Sequence, residues 1–117
     1  MSAVLFMLRS MATFAVTMVH GPHWDRSRPI REQDGWDEHA AFMDALFEEG
    51  FIVLAGPLGD GHLGRVDSEH RVLLVFDADS EGAIHARLDA DPWTPMEMLE
   101  TVSVERWNVL LGPLIGR

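Results

Sequence analysis

From Ala12 to His20 apolar and polar positions alternate, ATFAVTMVH, a period of two that predicts a half-buried strand over Thr13–Val19. The pattern then breaks. His20–Gln33, HGPHWDRSRPIREQ, carries two prolines, a glycine and mixed charges without periodicity, and reads as a long loop. Helical spacing returns at Trp36, Ala40, Met43 and Phe47, with Leu46 adjoining. A helix is therefore expected from a cap at Asp34 or Asp37 to about Glu49, with Gly50 just past its end. The apolar run FIVLAGPL predicts a second strand, which Gly56-Pro57 ends or bulges. Beyond the turn-rich GDGHLGRVDSE comes a returning strand, RVLLVFD. A second helix, EGAIHARLDA, starts at Asp79 or Ser80 and is stopped by Pro92. The last strand is expected in SVERWNVLL, with Trp107 in the core and Gly112-Pro113 closing it.

The order is β-α-β-β-α-β, the split βαβ arrangement of ferredoxin-like α+β folds. Right-handed crossovers place both helices on one face of a four-stranded antiparallel sheet. The strands FIVL and LLVF are apolar on both sides, so the other sheet face needs a cover, and a second copy of the chain is expected to supply it as a homodimer. Residues 12–112 form the domain. Residues 1–11 read as an N-terminal extension and residues 113–117 as a C-terminal tail.

The topology has a chemical consequence. With strand one running up, the long loop, the start of helix one, the GDGHLG turn and the end of helix two all collect at the top. His39, early in helix one, and Asp91, just past helix two, belong at that one end. The positive end of the helix dipole disfavours an imidazolium at His39, and the negative end disfavours a carboxylate at Asp91. Paired, each supplies the charge that the other's surroundings lack. Pro92 biases Asp91 away from the helical region and stiffens its backbone. A carboxylate that holds one imidazole nitrogen leaves the other as a general base. A lone histidine beside an apolar helix face is nonetheless commonly a satisfied structural residue, and spacing alone does not choose between the two.

Composition narrows the remaining classes. The 117 residues suffice for one modest core, and 47% hydrophobic with 24% charged residues is ordinary globular composition. A net charge of −10 argues against nucleic acid and gives no reason to expect an anionic membrane surface as partner. Without cysteine there is neither disulfide nor thiolate chemistry. The apolar run near the N-terminus is too short to span a bilayer and is interrupted by Arg9, so a cytoplasmic protein is expected.

Other residues are candidates for the pocket. Trp24 and Trp93 flank the expected cleft and could hold a planar ligand, whereas Trp36 is assigned to the buried helical stripe. Arg26, Arg28 and Arg31 concentrate positive charge in the loop. Arg28 is the candidate contact for an anionic substrate, although pairing with the abundant surface acids is the better account of these arginines. Ser103 could hydrogen-bond near Asp91. His20, His23 and Asp25 offer metal-ligand types, which His39 could join, but no Glu-rich helix backs them and no metal or other cofactor is expected.

The segments EHAAFMDALFEEGFIVLAGPL, RVLLVFDADS, RLDADPW and SVERW together resemble the YCII-related (YciI-like) family of the dimeric α+β barrel superfamily, over about Thr13 to Leu111. The resemblance implies a cofactor-independent enzyme whose proposed site is a His–Asp dyad, at His39 and Asp91 here. It also implies a small-molecule substrate; one relative removes chloride from a chlorinated hydroxyquinol. The expected function is acid–base chemistry of lyase or isomerase type on a small planar or enolisable molecule. The alternative is a non-catalytic ligand-binding or accessory barrel.

Overall fold

The computed structural model describes residues 11–59 and 71–112. The expectations for residues 1–10, for the turn-rich segment over residues 60–70, and for residues 113–117 lie outside those residues. Strand β1 (Ala12–His20) leads through the loop and a single 3-10 turn, Ile30–Glu32, into helix α1 (Trp36–Glu48). Strands β2 (Ile52–Leu58) and β3 (Arg71–Ala78) follow, then helix α2 (Glu81–Leu88) and strand β4 (Leu99–Arg106). The four strands form one antiparallel sheet in the order β2-β3-β1-β4, the ferredoxin-like arrangement expected from the element order. Among the described residues no helix is long and apolar enough to cross a membrane.

Residues paired across antiparallel strands share a face, so register tells which side chains meet the helices. Phe14, Val16, Leu74, Phe76 and Ala78 turn towards α1 and α2 and are buried there with Leu46, Ile52, Ile84 and Leu88. On α1 the inward face is His39, Phe42, Met43 and Leu46, one position out of step with the apolar stripe read from sequence. Phe47, placed in that stripe, is 60% exposed. The sequence pattern counted only apolar residues, whereas the true stripe contains a histidine.

Strand β4 begins at Leu99, four positions before Ser103, and ends before Trp107, which is 43% exposed rather than in the core. Its start is set by backbone contact with the end of β1. The Gly21 N–H donates to the Met98 carbonyl at 2.8 Å, and a Cβ on Gly21 would lie 2.3 Å from the Glu97 carbonyl oxygen. Pairing then runs from His20–Leu99 and is interrupted by a bulge, because Met18 pairs with Thr101 but Thr17 with Ser103.

The helix ends have local causes. Neither Asp34 nor Asp37 caps α1. Its N-cap is Gly35, with a left-handed φ of 77° and no side-chain cap hydrogen bond. The Ser80 hydroxyl caps α2 by accepting the Ala83 N–H at 3.1 Å. At the C-terminus of α1, Gly50 N–H donates to Phe47 and Phe51 N–H to Leu46, with Gly50 at φ 81°, a Schellman closure. Gly50→Ala puts a Cβ on a left-handed residue without gaining a contact. It is expected to cost about 1 kcal/mol, read as a lower urea midpoint at unchanged slope.

Candidate active site

His39 lies in the first turn of α1, where its N–H donates to the Gly35 carbonyl at 3.0 Å. Asp91 is three residues beyond α2, in a turn closed by Asp91 N–H to Leu88 O at 3.0 Å and Thr94 N–H to Asp91 O at 2.9 Å. The two side chains meet across 52 positions of sequence. His39 Nδ1 lies 2.8 Å from Asp91 Oδ2 and 3.0 Å from Oδ1, and both residues are buried, at 7% and 6% exposure. A buried carboxylate accepts a proton-bearing nitrogen, so the bond places hydrogen on Nδ1. Nε2 has no hydrogen-bond partner among the described residues.

The pair borders a partly open cavity of about 240 Å³ between the sheet and the two helices. Met18, Met43, Leu74, Leu99 and the indole of Trp36 form much of the wall, and among the described residues that line it His39 and Asp91 alone are ionisable. Gly56 and Pro57 also border it. The volume lies below the roughly 300–1,000 Å³ usual for drug-sized ligands and suits a single small ring.

The two tryptophans expected to line the pocket stand behind it instead. Trp93 is 1% exposed and stacks face-on against the His39 imidazole, with centroids 3.9 Å apart and planes 11° apart. Trp24 meets Trp93 edge-on at 5.7 Å. Trp36, assigned from sequence to the packed stripe, is the indole that borders the cavity. Its place at the first helical position was the available signal, since the first turn of α1 was already expected at the top of the sheet.

Ser103 pairs with Thr17, whose side chain faces away from the helices, so its hydroxyl points away from Asp91. Arg28 lies outside the cavity, 3.4 Å from Asp25 Oδ2 and 3.4 Å from Asp34 Oδ1, and donates to the Glu32 carbonyl. Its charge is engaged in pinning the loop. Asp25 accepts from both the hydroxyl and the N–H of Ser27, which hold its carboxyl below the usual carboxylate range. The loop histidines do not converge on His39. His20 stacks on Trp24 at 4.1 Å, and His23 lies 3.1 Å from the Met96 carbonyl oxygen. Among the described residues no three His, Asp or Glu side chains are arranged to hold a metal ion.

The acidic partner carries most of the local hydrogen bonding, because Trp93 N–H also donates to Asp91 Oδ1 at 2.9 Å. Asp91→Ala would strand two buried donors and is expected to destabilise the fold by about 2–4 kcal/mol. Asp91→Asn keeps one acceptor and is expected to cost less. Chemical denaturation of the two proteins checks that order.

No family model matches the chain, and no curated protein matches it either. Among solved structures, the chain is similar to the 5-chloro-2-hydroxyhydroquinone dehydrochlorinase of Burkholderia phenoliruptrix, in complex with 2,5-dihydroxybenzoquinone. The two share 26% identity, with a TM-score of 0.59, over 81% of this chain and 92% of that one. Strand order and this likeness together support the dimeric α+β barrel superfamily and, as the general kind of protein, a small-molecule enzyme of lyase type.

Proposed function

We propose that this chain is a YCII-related enzyme that moves a proton on a small planar or enolisable substrate, with His39 as the proton-transfer group and Asp91 as its orienting, charge-compensating partner. The observation that carries this reading is the buried hydrogen bond, 2.8 Å from Nδ1 to Oδ2, at a cavity whose other described lining residues are apolar or uncharged. Nε2 then carries the lone pair available to a bound hydroxyl or acidic C–H. As a proton accumulates on the ring, Asp91 compensates the charge within a low-dielectric wall, where that attraction is stronger than in water.

A chlorinated hydroxyhydroquinone, the molecule in the neighbour's name, gives an example of what such a shuttle would do. One ring hydroxyl gives up its proton to the base, and that proton is returned to the chlorine-bearing carbon. Chloride leaves with the C–Cl electron pair, the second hydroxyl proton is released, and the ring becomes a quinone. The sum is loss of HCl, so no external oxidant is required and the two residues suffice. Return of the proton to another carbon without a leaving group gives an isomerisation by the same machinery. Trp36 would face the ring of such a substrate. Trp24 and Trp93 serve it indirectly from behind the imidazole, and neither Arg28 nor Ser103 is needed in contact.

The working unit we propose is a cytoplasmic homodimer packed through the sheet face away from the helices. Register turns Val19, Leu73 and Leu54 to that face, where Leu54 is 52% exposed, whereas Val75 on the same face is already buried at 1%. Sedimentation equilibrium is expected to return twice the chain mass.

The test of the chemistry is a panel of small phenols, halophenols and enols, scored for proton exchange with deuterated solvent and for halide release. His39→Asn and Asp91→Asn should each lower turnover by about 10²–10⁴-fold while circular dichroism stays native. Variants that lose stability but convert substrate at the wild-type rate would make the pair a fold-specifying contact, and a wild type that converts no member of the panel would return the chain to the accessory-barrel reading.

A further inference from the structure

We infer that Trp93 is a positioning residue that fixes the ring plane and tautomer of His39, an inference that rests on the proton-transfer reading of the dyad. One residue holds both partners. Its backbone N–H donates to Asp91 Oδ1 at 2.9 Å, while its indole lies flat against the imidazole at 3.9 Å and 11°. The indole cannot itself drift. Its Nε1–H donates to the Asp34 carbonyl at 2.7 Å, Trp24 meets it edge-on, and only 1% of the residue is exposed. Gly35 lets the backbone of the α1 entrance lie against it, since a Cβ there would come within 3.1 Å of Trp93 Nε1 and of Met96 Sδ.

The need for such a device follows from the histidine side chain. The terminal torsion of histidine is broad and roughly two-fold, so a ring tied at Nδ1 alone can rock about that bond or turn over. Either motion re-aims Nε2 within the cavity. Misplacement of a reacting atom by about 1 Å can cost on the order of 10²-fold in rate. A flat, anchored ring along one face removes both motions. Trp93 does not border the cavity, so its effect passes through His39 and not through contact with substrate.

Two-bond proton–nitrogen correlation spectra of the His39 ring give a readout that needs no substrate. Wild type and Trp93→Phe, which keeps a flat ring, are expected to show a single Nδ1–H tautomer. Trp93→Leu, which fills much of the space without stacking, should show a second, Nε2–H form in exchange with it. With any substrate the wild type converts, the leucine protein should lose about tenfold or more in kcat with KM changed less than about twofold, and the phenylalanine protein should recover most of that.

Should the leucine protein not fold, Gly35→Ala provides the same test, because it crowds the indole without removing it. A folded leucine or Gly35→Ala protein with the wild-type tautomer pattern overturns the role of Trp93 and leaves the dyad intact. A wild type without hydrogen on Nδ1 would instead defeat the proton-transfer reading itself.

Discussion

One hydrogen bond between a helix beginning and a helix end organises the upper half of this molecule. Taken singly, His39 as a cation opposes the positive end of α1, and Asp91 as an anion opposes the negative end of α2. Joined at 2.8 Å and largely buried, they form a unit that leaves one imidazole nitrogen without a partner among the described residues. The neighbouring backbone is shaped to that end. Gly35 turns left-handed beneath the indole, Gly21 permits the Glu97 carbonyl to approach, and Glu97 itself adopts a φ of 54°. A non-glycine residue in that region costs on the order of 1–3 kcal/mol, and here it lies in the segment that joins Asp91 to β4.

The apolar character of the cavity gives this pair its leverage. A histidine and carboxylate on an open surface would exchange their mutual attraction for hydration and salt screening. Behind methionine, leucine and tryptophan walls the attraction persists, and a ligand that enters must present its own polar atom to Nε2 or leave it unsatisfied. The loop arginine that might have welcomed an anion instead pairs with Asp25 and Asp34, outside the wall.

The fold was legible because the element order left one economical arrangement, and the dyad because topology alone carries His39 and Asp91 to one end of the sheet. What escaped the sequence was decided by tertiary contacts. Counting apolar positions set the α1 stripe at Trp36, Ala40, Met43 and Phe47, because the count left out His39 even though its pairing with Asp91 makes it fit for burial. The start of β4 depends on how closely Gly21 can approach Glu97, and the facing of Ser103 on its pairing with Thr17. Trp24 and Trp93 exchanged places with Trp36 for a related reason: an indole with an anchored N–H and no water belongs to a wall's foundation, whatever its distance along the chain from the cleft.

Pro57 has a bearing beyond the cavity it borders. β2 is an outer strand of the sheet, and such strands offer unpaired backbone groups to any extended chain. A proline there withholds a donor from the open edge, so a further strand could add along β2 only with a gap in its ladder. Growth of the sheet sideways along β2 is thereby discouraged.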